Sequence, residues 1–142
     1  MDTHVWVWIA SGQLNRMRPG LSEAIERAAR EKRLFISASS IWEVALKVAK
    51  GGIVISGDLH TWVDEQRRAP GIQIWPLSPA VLIDMTRLPP WVRRSDGKEH
   101  RDPNDRFLVT TARRRSATLV TCDEMILDYA RQGHLEVFDA RP

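Results

Sequence analysis

Most acidic residues of a soluble domain scatter over helix surfaces, but several in this chain do not. Asp123 directly follows the apolar run ATLVTC, and Glu43 falls in the first turn of a helical pattern just past LFIS. Asp102 and Asp105 open the helical pattern that precedes ATLVT, and Asp2 heads the stretch MDTHVWVWIA. In open α/β sheets the carboxyl edge of the strands is where ligands bind; Asp123 and Glu43 fall just past such edges, and Asp2 joins them if a strand ends at it. Singly, each has an ordinary structural role. Asp102 reads as an N-cap, Asp105 as an acid favoured by the helix dipole, and Glu43 or Asp123 can do the same work. Together, like charges at one edge repel and raise one another's pKa unless a cation sits among them. The natural partner of hard carboxylate oxygens is Mg²⁺ or Mn²⁺. Zinc has no evident competing site in the sequence, because the four histidines are dispersed and Cys122 stands alone.

A cation held by carboxylates commonly works on phosphate, and a basic face is what a polyanion would meet. Arg87, Arg93, Arg94, Lys98, Arg101, Arg106, Arg113, Arg114 and Arg115 crowd one third of the chain, although the net charge is only +3. Arginine outnumbers lysine there, which suits bidentate phosphate contacts, while a solvated basic face is the plainer reading. Carboxylates beside an arginine-rich rim point to hydrolysis of phosphodiester bonds in a polynucleotide. The 43% apolar and 27% charged content is ordinary for a soluble domain, and 142 residues read as one domain, 1–142. The apolar stretch Val5 to Ala10 is far short of the roughly 20 residues of a membrane span, and no secretory leader pattern surrounds it. A single cysteine fits a reducing cytoplasm.

The elements that would position these acids alternate. Helical patterns cover Leu21 to Lys32 with Ser22 as cap, the stretch after Ser39 or Ser40 up to Gly51-Gly52, and Leu59 to Arg68. Ser78-Pro79 and Asp102-Pro103 are cap-then-proline starts, the second opening a helix through Arg115, and Glu124 to Arg131 is a further helix. Apolar runs at Leu34 to Ile36, Ile72 to Leu77, Ala117 to Thr121 and Leu135 to Phe138 read as strands. The alternation predicts an α/β fold with a central parallel sheet. LPPWVRRSDGKEHRDP is the one long irregular stretch, of the kind that is functional or mobile.

Four segments in this order resemble the motifs of PIN-domain nucleases, and in detail the VapC-type toxins of bacterial toxin–antitoxin pairs: MDTHVWVWI, SASSIWEVALKVAKGGI, HRDPNDRFLVTTA and LVTCDEMILDY. The resemblance implies a three-layer α/β/α domain, a metal site of Asp2, Glu43, Asp105 and Asp123, and RNA cleavage with Mg²⁺ or Mn²⁺ leaving 5′-phosphate and 3′-hydroxyl ends. It also implies a homodimer, and a small antitoxin protein that blocks the site. Thr3, Ser40, Asp102 and Thr121 stand beside the acids as supports, with capping the plainer role for Ser40 and Asp102. His100, Arg101 and Arg106 match positions at the site mouth and, with Arg93 and Arg94, are the expected RNA phosphate contacts; Lys47, one turn beyond Glu43, is either a further phosphate contact or a salt-bridge partner. Structured RNA such as tRNA or rRNA is the implied substrate.

Two departures stand out. Family members carry several apolar residues ahead of the first aspartate, where this sequence has Met1. The strand is then expected before Asp2 and the first helix at VWVWI, although VWVWI alone has strand composition. Either an upstream segment supplies that strand, or burial of VWVWI and the metal pin Met1 and Asp2. WVRRSDGKE, residues 91–99, reads as an insertion that extends the RNA rim, contacts the antitoxin, or forms a surface loop. Its Trp91 is the one tryptophan expected free to stack bases; the others read as core or interface. The alternative function is a PIN-like RNA- or protein-binding module without chemistry, which would follow if Asp2 were unplaced.

Overall fold

The computed structural model describes residues 1–94 and 96–142. Asp2 caps the first helix, α1 (Thr3–Ala10), with its carboxylate accepting from the His4 backbone N–H. VWVWI is therefore helical, as the resemblance implies and its composition alone does not. The cap fixes the start, and one face turns inward, burying Val5 and Trp6, with Trp6 packed on Trp62 at 5.2 Å. Helix α2 (Leu21–Arg30) leads into strand β1 (Leu34–Ser37), then α3 (Ala38–Ala49), α4 (Leu59–Arg68), β2 (Ile72–Trp75) and α5 (Pro79–Asp84). The chain ends with α6 (Pro103–Arg114), β3 (Leu119–Thr121), α7 (Glu124–Arg131) and β4 (Val137–Asp139). Among the described residues no helix is long and apolar enough to cross a membrane.

The strands are parallel, as expected, but they form two ladders rather than one continuous sheet. β1 pairs with β2 from Leu34↔Ile72 to Ser37↔Trp75, and β3 pairs with β4 from Leu119↔Val137 to Thr121↔Asp139. Met1 and Asp2 bridge them: the Met1 amine donates to the Phe35 carbonyl at 2.7 Å, and the Asp2 N–H donates to the Val120 carbonyl at 2.9 Å. Next to this two-residue link lies a cleft of about 670 Å³, walled by Leu34 and Phe35 on one side, Leu119 and Val120 on the other, and Ile25 and Leu108.

Two caps and one strand end fall elsewhere than the sequence suggests. Ser37, not Ser39 or Ser40, caps α3, its Oγ accepting from the Ser39 N–H. The helix therefore begins straight off β1 and carries Ser39 and Ser40 into its buried first turn. Gly20, at φ +81°, precedes α2 in place of Ser22, because the chain must reverse there through a left-handed residue. Strand β2 stops at Trp75, ahead of Pro76. Asp102-Pro103 and Ser78-Pro79 cap as expected.

The 91–99 segment is neither a loose loop nor a stacking platform in the structure; Ser95 within it lies outside the described residues. Val92 and Glu99 form an antiparallel bridge, and Arg93 N–H donates to the Lys98 carbonyl at 2.8 Å. Trp91, expected in solvent, is 1% exposed. It stacks on Tyr129 at 4.5 Å and donates its indole N–H to the Met125 carbonyl at 3.2 Å. With Leu108, Val109 and Ile126 it forms one hydrophobic cluster; Val5, Trp6, Leu21, Ile36 and Val44 belong to another.

Burial lowers the pKa of the Met1 amine to about 6, against the opposing pull of the Asp2 charge. A short apolar extension ahead of Met1, such as Val-Ile-Leu-Val, would replace that ammonium by an amide and lay a strand in the cleft. The melting temperature is expected to rise by several degrees, since each kcal/mol is worth roughly 2–4 °C at about this size. Calorimetry checks this; an unchanged or lower value means the cleft does not accept a strand.

Candidate active site

Each strand ladder ends at an acid. Ser37 closes β1 and starts α3, whose second turn carries Glu43; Thr121 closes β3, and Asp123 caps α7. Asp2 follows the bridge between the ladders and is 3% exposed. The Thr121 hydroxyl donates to Asp2 Oδ2 at 2.5 Å and accepts from the Asp123 N–H at 3.0 Å, so one side chain ties the two acids together. Asp123 Oδ1 in turn accepts from the N–H groups of Met125 and Ile126 at 2.8 and 3.0 Å. Burial alone would push the Asp2 carboxyl up, but the His4 imidazole, the Thr121 hydroxyl and the His4 backbone N–H outweigh it and hold the group below its usual range.

On the other side, the Asn104 amide donates to Glu43 Oε2, and Lys47 lies 3.4 Å from Glu43 Oε1. Asp102 caps α6, its Oδ1 accepting from Asn104 and Asp105 N–H at 2.9 and 3.2 Å. Asp105 is bonded to His100 Nε2 at 2.7 Å. Burial raises its pKa to about 6; the His100 contact opposes this, and the charges of Asp123 and Asp102 add to it. Glu43 thus meets α6 through Asn104, Asp105 senses Asp123, and Asp123 joins Asp2 through Thr121. All four acids face one neighbourhood.

The neighbourhood suits a hard cation. Its donors are carboxylate oxygens, and Thr3 Oγ1, Ser40 Oγ and Asn104 Oδ1 are buried without a hydrogen-bond partner. Unsatisfied buried oxygens cost about 1–3 kcal/mol each, a penalty that a hydrated cation can relieve. The four acids are not drawn into one tight cluster. Among the described residues, the group of three or more donors lying within 4.8 Å of one another is Asp2, His4 and Cys122. Asp105 and Glu43 are instead engaged by His100, Lys47 and Asn104.

The expected RNA contacts divide. Arg93, Arg94 and Arg101 are exposed and make only surface ion pairs, with Asp96, Asp128 and Glu99 at 3.5, 3.0 and 3.0 Å. His100 and Arg106 turn inward, away from the mouth where the sequence reading put them. His100 packs on Trp91 at 4.4 Å and holds Asp105, while Arg106 donates to the carbonyls of His100 and Met85 at 3.1 and 3.2 Å. The buried Trp91 draws His100 inward, and Arg106, on α6, closes onto the His100 carbonyl. Sequence reading passed over Asn104, His4 and Cys122. Asn104 had a signal, since the Asp102-Pro103 cap places it in the same first turn as Asp105.

On this α/β scaffold Asp123 follows β3 with Asp2 beside it, Glu43 rides on the helix that follows β1, Asp105 stands in the first turn of α6, and exposed arginines lie outside. The PIN domain model matches residues 1–132, and the chain belongs to the PIN-domain family. PIN domains are nuclease-type domains that generally use divalent metal ions, and PIN nucleases bind RNA. No curated protein matches the chain.

Because Asp105 is raised in the folded state, the native protein keeps a proton there that the unfolded chain has lost. Stability without metal should therefore fall as pH rises from the ordinary value of 3.8 to about 6. Asp105→Asn, which can still accept from His100, should remove that slope and stabilise the metal-free protein at pH 7 by on the order of 1–2 kcal/mol. Urea unfolding across this pH range checks both.

Proposed function

We propose that the protein is a Mg²⁺- or Mn²⁺-dependent endoribonuclease of the VapC toxin type. It hydrolyses RNA to 5′-phosphate and 3′-hydroxyl ends, and a small antitoxin protein holds it in check. The observation that carries the reading is that Thr121 ties Asp2 to Asp123, while Asn104 ties Glu43 to the first turn of α6, which carries Asp105. In this reading those four acids hold the cation, and Thr121, Thr3, Ser40 and Asp102 position them or its water. A cation held by these residues would supply an activated water and neutralise charge developing on the leaving oxygen. Water oxygen bonds to phosphorus, the P–O3′ bond breaks, and the 3′ oxygen departs as a hydroxyl after taking a proton. Arg93, Arg94 and Arg101 follow the RNA backbone, and Lys47 stands beside Glu43 to meet a phosphate.

Protein partners are consistent with α3, where Trp42 and Leu46 are exposed one turn apart and flank Glu43. We take these to serve the antitoxin or a homodimer, with the whole chain acting as one cytoplasmic domain on tRNA or rRNA. The alternative, a binding module without chemistry, rested on an unplaced Asp2. The burial and two hydrogen bonds of Asp2 weigh against it.

On total RNA with Mn²⁺, cleavage should occur and its ends should ligate as 5′-phosphates. Chelator should stop the reaction. Asp105→Asn or Glu43→Gln should lower the rate at least about 100-fold, as expected when a group that stabilises transition-state charge is lost. Undiminished cleavage in chelator or in either variant would refute the metal-dependent reading.

A further inference from the structure

Asp2, His4 and Cys122 are distant or unremarkable in sequence, yet one donor atom from each lies within 4.8 Å of the others. Asp2 is the N-cap of α1, His4 stands in the first turn of that helix, and Cys122 directly follows Thr121, whose hydroxyl holds Asp2. All three are therefore mounted on ordered backbone. His4 Nδ1 is 3.7 Å from Asp2 Oδ1, too long for a hydrogen bond. It is close to the roughly 3.3 Å that separates nitrogen and oxygen ligands on one tetrahedral zinc with bonds of about 2 Å. The His4 side chain is 48% exposed, which opens a route from solvent and leaves room for water as a fourth ligand.

We infer that Asp2, His4 and Cys122 form a second metal site, one that takes a thiophilic divalent cation such as Zn²⁺. Imidazole, thiolate and carboxylate together suit zinc, whereas Mg²⁺ keeps to oxygen. Cys122 is a free, half-buried thiol beside Asp2. Capture exchanges its proton for the metal: the S–H bond breaks, a sulfur–metal bond forms, and H⁺ is released to solvent. Asp2 is shared with the proposed nuclease site. Its Oδ2 already accepts from Thr121, and Oδ1, which accepts from the His4 N–H, would be taken up by zinc. Resting on the nuclease reading, the second half of the inference is that zinc disarms the enzyme by taking Asp2.

Co²⁺ alone, added to the purified protein without RNA, tests the site. A thiolate-to-cobalt charge-transfer band and a tetrahedral visible spectrum are expected. Cys122→Ser should abolish the charge-transfer band, and His4→Gln should weaken binding at least tenfold. No band in the wild-type protein, or an unchanged one in Cys122→Ser, overturns the site. In Mn²⁺-driven cleavage, Zn²⁺ should inhibit the wild type at a concentration at least tenfold below that needed for Cys122→Ser. Equal inhibition of the two overturns the inhibitory role. A protein that gives the band but cleaves no RNA with any metal sinks the nuclease reading and leaves the site standing.

Discussion

Two backbone hydrogen bonds hold the structure together at its centre: Met1 amine to Phe35 carbonyl, and Asp2 N–H to Val120 carbonyl. Without them, β1–β2 and β3–β4 share no pairing, and the molecule is two parallel ladders joined through helices. A buried polar group left unpaired costs about 1–3 kcal/mol, so the link matters on both sides of the divide. It also fixes where α1 starts. Because Asp2 is pinned by its backbone, its carboxylate is free to cap the helix and to meet Thr121. The sheet junction and the first acid of the site are thus the same residue.

The acids are held apart by different devices, and for Asp2 and Asp105 this sets opposite charge tendencies. Asp2 is buried yet kept ionised by donors; Asp105 is buried with one imidazole and two acidic neighbours, and its proton is retained to about pH 6. Glu43 has a lysine and an amide. Each acid therefore arrives at the candidate site with a partner of its own. Such tethered acids are pre-positioned without being collapsed on one another, a compromise between repulsion and readiness.

Much of this was legible in the sequence. Cap-then-proline pairs at Ser78-Pro79 and Asp102-Pro103 located two helix starts to the residue, because the proline ring and the missing N–H leave few other conformations. Apolar runs located the strands, with ends off by a residue or two where Pro76 or a turn intervened. The four motif segments located the acids. What stayed hidden depended on distance in the fold. Nothing in WVRRSDGKE indicates that its tryptophan finds Tyr129, 38 positions onward by number, and so turns the segment inward. His4 and Cys122 looked dispersed because their meeting requires β3 to lie beside the start of α1. Serine caps were ambiguous for a local reason: Ser37, Ser39 and Ser40 are chemically equivalent, and the end of β1 chose among them.

Trp91 never reaches solvent, yet it bears on the one acid whose proton is most strongly retained. It stacks on His100, and His100 grips Asp105. Opening of the Val92–Glu99 bridge, if it moved Trp91, would therefore reach Asp105 through His100. Amide exchange at the bridge between Val92 and Glu99 would time the same event that loosens the acid. The segment that looked like an outer rim thus supports the acid from within, through Trp91 and His100.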